Sequence, residues 1–452
     1  MLPGPDARLR FIALLMVAIL LLVVAQLVRL QVLEHPEHQA EAERLVERQY
    51  GLPDPALGCI WDRNGNLLVG NSPYYDIGAE VRLVSDPQEA ATALASLLGQ
   101  TPEELVTKLT VSPEEEEQTI VWHFLAKQVP ESAVAEIEKL EYSWITLTPT
   151  WLRQYTEGDL AAHVLGFMNE SGQGYGLHSY HMRLLQGERV ANVGAVTGSS
   201  DPMPQAVADE RGLPYPGVDL RLTFDRTIQA YIEGELEKAL LEYNAPSGTI
   251  LVIDPRSGEI LAMASSPSYE PYNYAAYAEQ GQTALFQNPA ISQAYEPGSV
   301  FKIVTVAAAL DSGKADLNWS YEDKGALEYG GVVIRNWSRA AYGHQDLKGV
   351  LTHSLNVGVS TLSTQVMGSQ TFYRYLRAFG FGQLTEVDLS GEASGQMHMP
   401  DDWDWEDSFL ATNAFGQGIA VTPLQMTAAA AAIANDGWMM QPHVVAEPLY
   451  HD

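Results

Sequence analysis

"AYEPGSVFKIVTVAAALDSG" (294–313) sets one lysine into an otherwise apolar run, three positions after a serine that itself follows Pro-Gly. Pro297 and Gly298 resist continuing a helix backward and Gly313 suits a C-terminal stop, so the stretch predicts a helix that starts at or near Ser299. From Val300 to Leu310 it is apolar nearly all round apart from Lys302 and Thr305, and a helix of that kind is buried on most sides. Burial disfavours a charged ammonium and can lower a lysine pKa by up to about 3 to 5 units. Ser299 lies one turn earlier, about 5–6 Å away between Cβ atoms. A buried lysine beside a serine hydroxyl has the makings of an activated nucleophile, and a serine at a helix start offers its own N–H to an oxyanion. The plainer alternative is a capping Ser299 with Lys302 reaching out to solvent.

The sequence downstream and upstream supports a packed catalytic unit. "DLRLTFD" (219–225) alternates like a strand, "RTIQAYIEGELEKALLEYN" carries apolar residues at helical spacing, and "GTILVIDPRSGEILAMASSPS" is two apolar strands joined by a turn at Asp254–Gly258. "GVLTHSLNVGVSTLS" (349–363) is a helix-like run interrupted by Ser354-Leu355-Asn356. Ser354 could pass a proton between Lys302 and a leaving amine, and the Asn356 carboxamide could hold a substrate backbone group. Ordinary turn or capping roles are the alternative for both.

Composition excludes other classes. The chain has 452 residues, enough for two or three domains, and a formal net charge of −31, which repels phosphate backbones and makes nucleic acid an unsuitable partner. Its single cysteine, Cys59, can form neither an internal disulfide nor a thiolate metal site. Phe11–Val28 is uncharged over 18 residues and preceded by Arg8 and Arg10. This predicts a transmembrane anchor with residues 1–10 cytoplasmic and the bulk of the chain extracytoplasmic. Asp86-Pro87, Thr101-Pro102 and Ser112-Pro113 each read as a cap followed by proline at the first helical position. The acids Glu114–Glu117 then serve a helix N-terminus. "YYDIGAEVRLV" (74–84) reads as a strand, "DRNGN" (62–66) as a turn, and 208–219 as a linker.

Taken together, Ser299-x-x-Lys302 and Ser354-x-Asn356 resemble two motifs of the class B penicillin-binding proteins, the peptidoglycan D,D-transpeptidases, which add Lys-Thr-Gly. "GCIWDRNGNLLVGN" (58–71), "RQYTEGDLAAHVLGFMN" (153–169) and "GYGLHSYHMRLLQG" (174–187) are similar to the family's pedestal motifs. "GEILAMASSPSYEPYNY" (258–274), "FGFGQLTEVDLSGEASG" (379–395) and "FGQGIAVTPLQMTAAAAAIANDG" (415–437) are similar to its transpeptidase domain.

The resemblance implies an α+β chain: a membrane anchor (11–28), a mixed pedestal or dimerisation domain (29–215), and a penicillin-binding domain (216–452) with a central antiparallel sheet flanked by helices. It makes Ser299 the nucleophile on a stem peptide, Lys302 the general base, Ser354 the proton relay and Asn356 a ligand of the acyl chain. Gln417 joins them on the rim formed by "FGQGIAVTP", and Asn336-Trp337 borders the site or packs as a buried aromatic. The implied partners are peptidoglycan stem peptides, lipid-linked precursors, β-lactams, the cytoplasmic membrane and a membrane glycosyltransferase of the cell-wall machinery. No cofactor and no metal is implied.

Three departures qualify the resemblance. Leu57-Gly58 stands where the family usually has Arg-Gly, His178 where it has glutamate, and Lys-Thr-Gly occurs nowhere in the sequence. The expectation is therefore a transpeptidase whose chain stops before the family's C-terminal part, showing little or no acylation by itself. A silent scaffold of a cell-wall complex and a β-lactam sensor or hydrolase remain as alternatives.

Overall fold

The computed structural model describes residues 55–116, 121–169, 172, 174–187 and 216–450. The anchor expected over 11–28 and most of the linker expected over 208–219 lie outside the described residues. Among the described residues no helix is long and apolar enough to cross a membrane.

Strands β1 (Ile60–Trp61) and β2 (Leu67–Glu80) open the described chain. The turn between them is closed by Asp62, whose Oδ1 accepts the N–H groups of Asn64 and Asn66 at 2.9 and 2.8 Å. Helices α1 (Pro87–Leu98) and α2 (Pro102–Lys108) start where the caps predict. Asp86 accepts from Gln88 and Glu89, and Thr101 and Glu104 form a reciprocal capping box. The third cap, Ser112, opens only a 3-10 turn over Pro113–Glu115, although it too forms a capping box. The strand expected over 74–84 ends at Glu80 and passes into a 3-10 turn at Val81–Leu83.

The chain divides into two compact units. Among the described residues one holds 55–56, 72–116 and 121–152, and the other holds 57–71, 153–169, 172, 174–187 and 216–450. In the first, β3 (Trp122–Pro130) pairs antiparallel with Tyr74–Glu80 of β2. Helix α3 (Glu131–Glu138) follows, and β4 (Ile145–Tyr155) also pairs with β2. The core is Ile77, Leu94, Leu105, Leu125, Val134 and Ile137, each nearly or wholly inaccessible.

In the second unit, β5 (Asp219–Leu222) lies parallel to β1, and β14 (Val445–Leu449), the last strand, pairs antiparallel with β5. This sheet is mixed, because β5 reaches β1 from far along the chain rather than through a hairpin. Of the expected central antiparallel sheet, the described residues show two strands, the hairpin β6 (Gly248–Ile253) and β7 (Ile260–Ser266). Helix α4 (Arg226–Tyr243) covers it with Ile232 and Leu236 against Ala262 and Ala264.

His178 is packed inside this unit. Its Nδ1–H donates to Leu165 O at 2.7 Å and its Nε2 accepts from Arg153 Nε at 3.1 Å. Burial pushes its pKa down to about 3, with the Arg153 charge adding to the effect. The imidazole is thus a neutral acceptor.

The largest core cluster surrounds α5 (Lys302–Asp311). Phe301, Val304, Ala308 and Ala309 pack there with residues of α6 (Leu347–Thr352), α7 (Asn356–Thr361), α8 (Gly368–Ala378), α9 (Ser408–Thr412) and α10 (Pro423–Ala434). Four short strands stand between α5 and α6. β8 (Ser320–Asp323) pairs with β11 (Gly343–Asp346), and β9 (Ala326–Tyr329) with β10 (Val332–Arg335). Later, β12 (Gln396–Met397) pairs with β13 (Ile419–Ala420).

Candidate active site

The turn that carries Ser299 is held from behind by a second turn. Gly298 has a positive φ of 61°, and its N–H donates to Gly416 O at 3.0 Å. Gly416 also has a positive φ, and a Cβ placed on it would stand 2.3 Å from Gly298 O, so no larger residue fits without moving the turn. Alongside, Gly418 N–H donates to Glu296 Oε1 at 2.8 Å, and Tyr295 and Val421 exchange two backbone hydrogen bonds at 2.9 Å.

The helix expected to begin at Ser299 begins instead as a 3-10 turn over Gly298–Phe301 and becomes α-helical at Lys302. In a 3-10 turn positions i and i+3 eclipse, which puts Ser299 and Lys302 on one face. Ser299 is exposed, and among the described residues its hydroxyl has no hydrogen-bond partner.

Lys302 is only 2% exposed. Its Nζ donates to Ser354 O at 2.7 Å, Ser354 Oγ at 2.9 Å and Asn356 Oδ1 at 2.7 Å. All three ammonium protons are therefore placed. Burial nevertheless pushes the group down to about 8, so the neutral amine is accessible near physiological pH.

Ser354 lies in the break between α6 and α7 and has a left-handed φ of 52°. Such a conformation costs a serine roughly 1–3 kcal/mol and persists where the surroundings impose it. Here it lets the carbonyl and the hydroxyl of one residue face the same ammonium. Asn356 also donates through Nδ2 to Arg335 O at 3.0 Å, which leaves one amide N–H for another acceptor.

A buried network behind these groups escaped the sequence reading. Asn336 Oδ1 accepts the Val357 N–H at 3.2 Å, and its Nδ2 donates to both oxygens of Asp323. Asp323 in turn accepts from Tyr321 OH at 2.8 Å and Gly325 N at 2.6 Å. This chain pins the first turn of α7, where Asn356 stands. Its only signal in the sequence is the Asn-Trp pair, and there the reading is corrected. Asn336 is buried with hydrogen-bond partners, whereas Trp337 is 96% exposed rather than a core aromatic.

The structure thus brings Lys302, Ser354 and Asn356 into direct contact and sets Ser299 one turn away. Gln417 is exposed in the Gly416–Gly418 turn that supports Ser299, and its N–H donates to Thr412 O at 3.2 Å.

Two family models match the chain in order: the penicillin-binding protein dimerisation domain over residues 54–189, and the penicillin-binding protein transpeptidase domain over 248–450. The chain belongs to the class B penicillin-binding proteins.

Among members of this family, it is 33% identical over 397 residues to stage V sporulation protein D of Bacillus subtilis, covering 87% of this chain and 60% of that protein. It is 32% identical over 390 residues to the peptidoglycan D,D-transpeptidase FtsI of Escherichia coli, covering 84% and 63%. The chain therefore spans less than two thirds of either relative. Of solved structures, a peptidoglycan synthetase from Bifidobacterium adolescentis matches with a TM-score of 0.67 at 25% identity, covering 87% of this chain and 74% of that one. Penicillin-binding protein 3 of Mycobacterium tuberculosis, solved with ampicillin, matches with a TM-score of 0.62 at 27% identity, covering 88% and 67%.

Proposed function

We propose that the chain is a serine D,D-transpeptidase that cross-links peptidoglycan stem peptides through an acyl-enzyme on Ser299. The observation that carries this reading is the buried Lys302 amine, held by Ser354 and Asn356 one turn from an exposed serine hydroxyl.

In the first step the neutral Nζ of Lys302 takes the Ser299 proton as Oγ attacks the carbonyl carbon of the terminal D-alanyl-D-alanine bond. The Ser299 backbone N–H lies at the start of its turn, where such groups lack an intrahelical partner, and faces the oxyanion. Collapse of the tetrahedral intermediate breaks the C–N bond. The departing D-alanine amine takes its proton from the Lys302 ammonium through Ser354 Oγ. The resulting ester is attacked by an amine of a neighbouring stem peptide, which forms the cross-link and frees Ser299. The second N–H of Asn356 holds the acyl chain, and Gln417 lines the rim. β-Lactams acylate the same oxygen.

The chain has no Lys-Thr-Gly. Residues 11–28 anchor the chain with its bulk outside the membrane, where lipid-linked precursors and a membrane glycosyltransferase are its partners.

The test is covalent labelling by a fluorescent penicillin over hours. Ser299→Ala should remove the label and leave the circular dichroism spectrum unchanged, whereas undiminished labelling would refute the assignment.

A further inference from the structure

Away from Ser299, the segment joining β12 to α9 holds a second group of ligating side chains that the proposed function does not use. His398, Asp402 and Asp404 each bring one ligand atom to a cluster whose atoms all lie within 4.8 Å of one another. His398 Nδ1 is 3.0 Å from Asp404 Oδ2. That is already close to the spacing of two donors bound at about 2.1 Å to one tetrahedral ion. Asp402 needs only a small approach to join them, and it is the exposed member of the three.

The imidazole is fixed from both sides. Its ring stacks on Phe409 with centroids 4.9 Å apart and planes 13° from parallel. The side-chain amide of Gln396 lies 3.2 Å from its Nε2, so Nδ1 is the nitrogen left for the carboxylates. An imidazole with one nitrogen engaged by a polar neighbour and the other turned to carboxylates is how metal sites orient a histidine ligand. Asp402 Oδ2 accepts the Met399 N–H at 2.7 Å, which fixes that side chain too. Among the described residues neither Asp402 nor Asp404 has a lysine or arginine partner, in a chain with a net charge of −31. A divalent ion would relieve the repulsion between them.

We propose that His398, Asp402 and Asp404 bind one divalent transition-metal ion, with zinc as the best fit to an imidazole and two carboxylates. The imidazole disfavours magnesium and calcium, which take oxygen ligands. Three protein donors leave room for water in the remaining positions. The ion has a structural role. It staples the 398–404 segment beside β12, which pairs with β13 through Gln396–Ala420 and Met397–Ile419. The residue before β13 is Gly418, bonded to Glu296 beside the Ser299 turn. The bound ion therefore stiffens the support of the nucleophile without touching it.

Titration of the full chain in detergent with zinc chloride, followed by calorimetry, tests this. One zinc per chain should bind and raise the melting temperature. Asp404→Asn should weaken binding by at least about 10- to 100-fold and abolish the thermal shift, with the zinc-free melting temperature nearly unchanged. If that variant fails to fold, Asp402→Asn on the exposed side chain gives the same readout. X-ray absorption should show a shell of nitrogen and oxygen with one imidazole, lost in His398→Gln. No zinc binding by the native chain, or equal affinity in the aspartate variant, would overturn the proposal and leave His398–Asp404 as a side-chain contact only.

Discussion

Two clusters, one in each unit, make a similar number of hydrogen bonds to a charged side chain, and both lower its pKa, which favours the charged form in one and the neutral form in the other. In the N-terminal unit Glu115 accepts from the Ser112 N–H and hydroxyl at 3.0 and 2.6 Å and lies 3.0 Å from His123 Nε2. These contacts, that of the Ser112 hydroxyl above all, pull its pKa down to about 2. The charged form is favoured. In the C-terminal unit Lys302 also makes three hydrogen bonds, yet burial pushes it down to about 8, against its charged form. Near solvent the ion keeps most of its hydration and the hydrogen bonds decide the shift. In a packed core the lost hydration outweighs them. The first arrangement ties down a turn, while the second supplies a base.

Linkage gives the two clusters different pH windows. Glu115 contributes stability that is complete above its ordinary carboxylate pKa and is lost as pH falls toward about 2. His123, raised by the Lys108 carbonyl and Glu115 despite partial burial, contributes stability present at low pH and lost as pH rises through its elevated pKa. Lys302 works the other way from a salt-bridged lysine. Its folded pKa is depressed, so the fold carries a cost below about 8 that disappears as pH rises toward the ordinary lysine value.

If burial sets the chemistry, the sharpest way to break the comparison is to keep the charge and forbid its loss. Lys302→Arg should lower the rate of Ser299 acylation by about 10² to 10⁴, the range of general-base loss, since guanidinium stays protonated. A near-normal rate in stopped labelling assays would make Lys302 a structural cation. A smaller effect is expected one layer back. Asn336→Ala leaves the buried Asp323 carboxylate without two of its hydrogen bonds. It should cost roughly 1–3 kcal/mol of stability in urea titration and loosen the start of α7. The smallest effect belongs to the exposed cluster. Glu115→Gln should leave acylation unchanged and reduce the loss of stability with acid, seen as convergence of the two melting curves at low pH.

The sequence made local features legible and long-range ones obscure. The caps at Asp86 and Thr101, the β6–β7 hairpin and the buried run 302–311 are set by residues a few positions apart, and each stands where the pattern put it. The Ser112 cap opened only a 3-10 turn, since caps announce where a helix starts but not how far it continues. The 3-10 start at Gly298 was not legible, because four residues are too few to distinguish a period of 3.0 from 3.6 and its cause, Gly416, is more than a hundred positions away. For the same reason the parallel pairing of Ile60 with Leu220 left no mark in the linear pattern, and the Asp323–Asn336 network left only the Asn336-Trp337 pair. Ser299, Lys302, Ser354 and Asn356 could be picked out by spacing. What the spacing could not supply is that Lys302 spends its three protons on Ser354 and Asn356 rather than on Ser299.

In our reading Lys302 acts as a base because it is buried, and the pH dependence of acylation tests that most directly. With the full chain and a fluorescent penicillin, the acylation rate should rise with pH, have its midpoint near the Lys302 value of about 8 and level off above it, with no such rise in Lys302→Arg. A native rate that stays flat from well below to well above that value, or a rise that persists unchanged in the arginine variant, would contradict it.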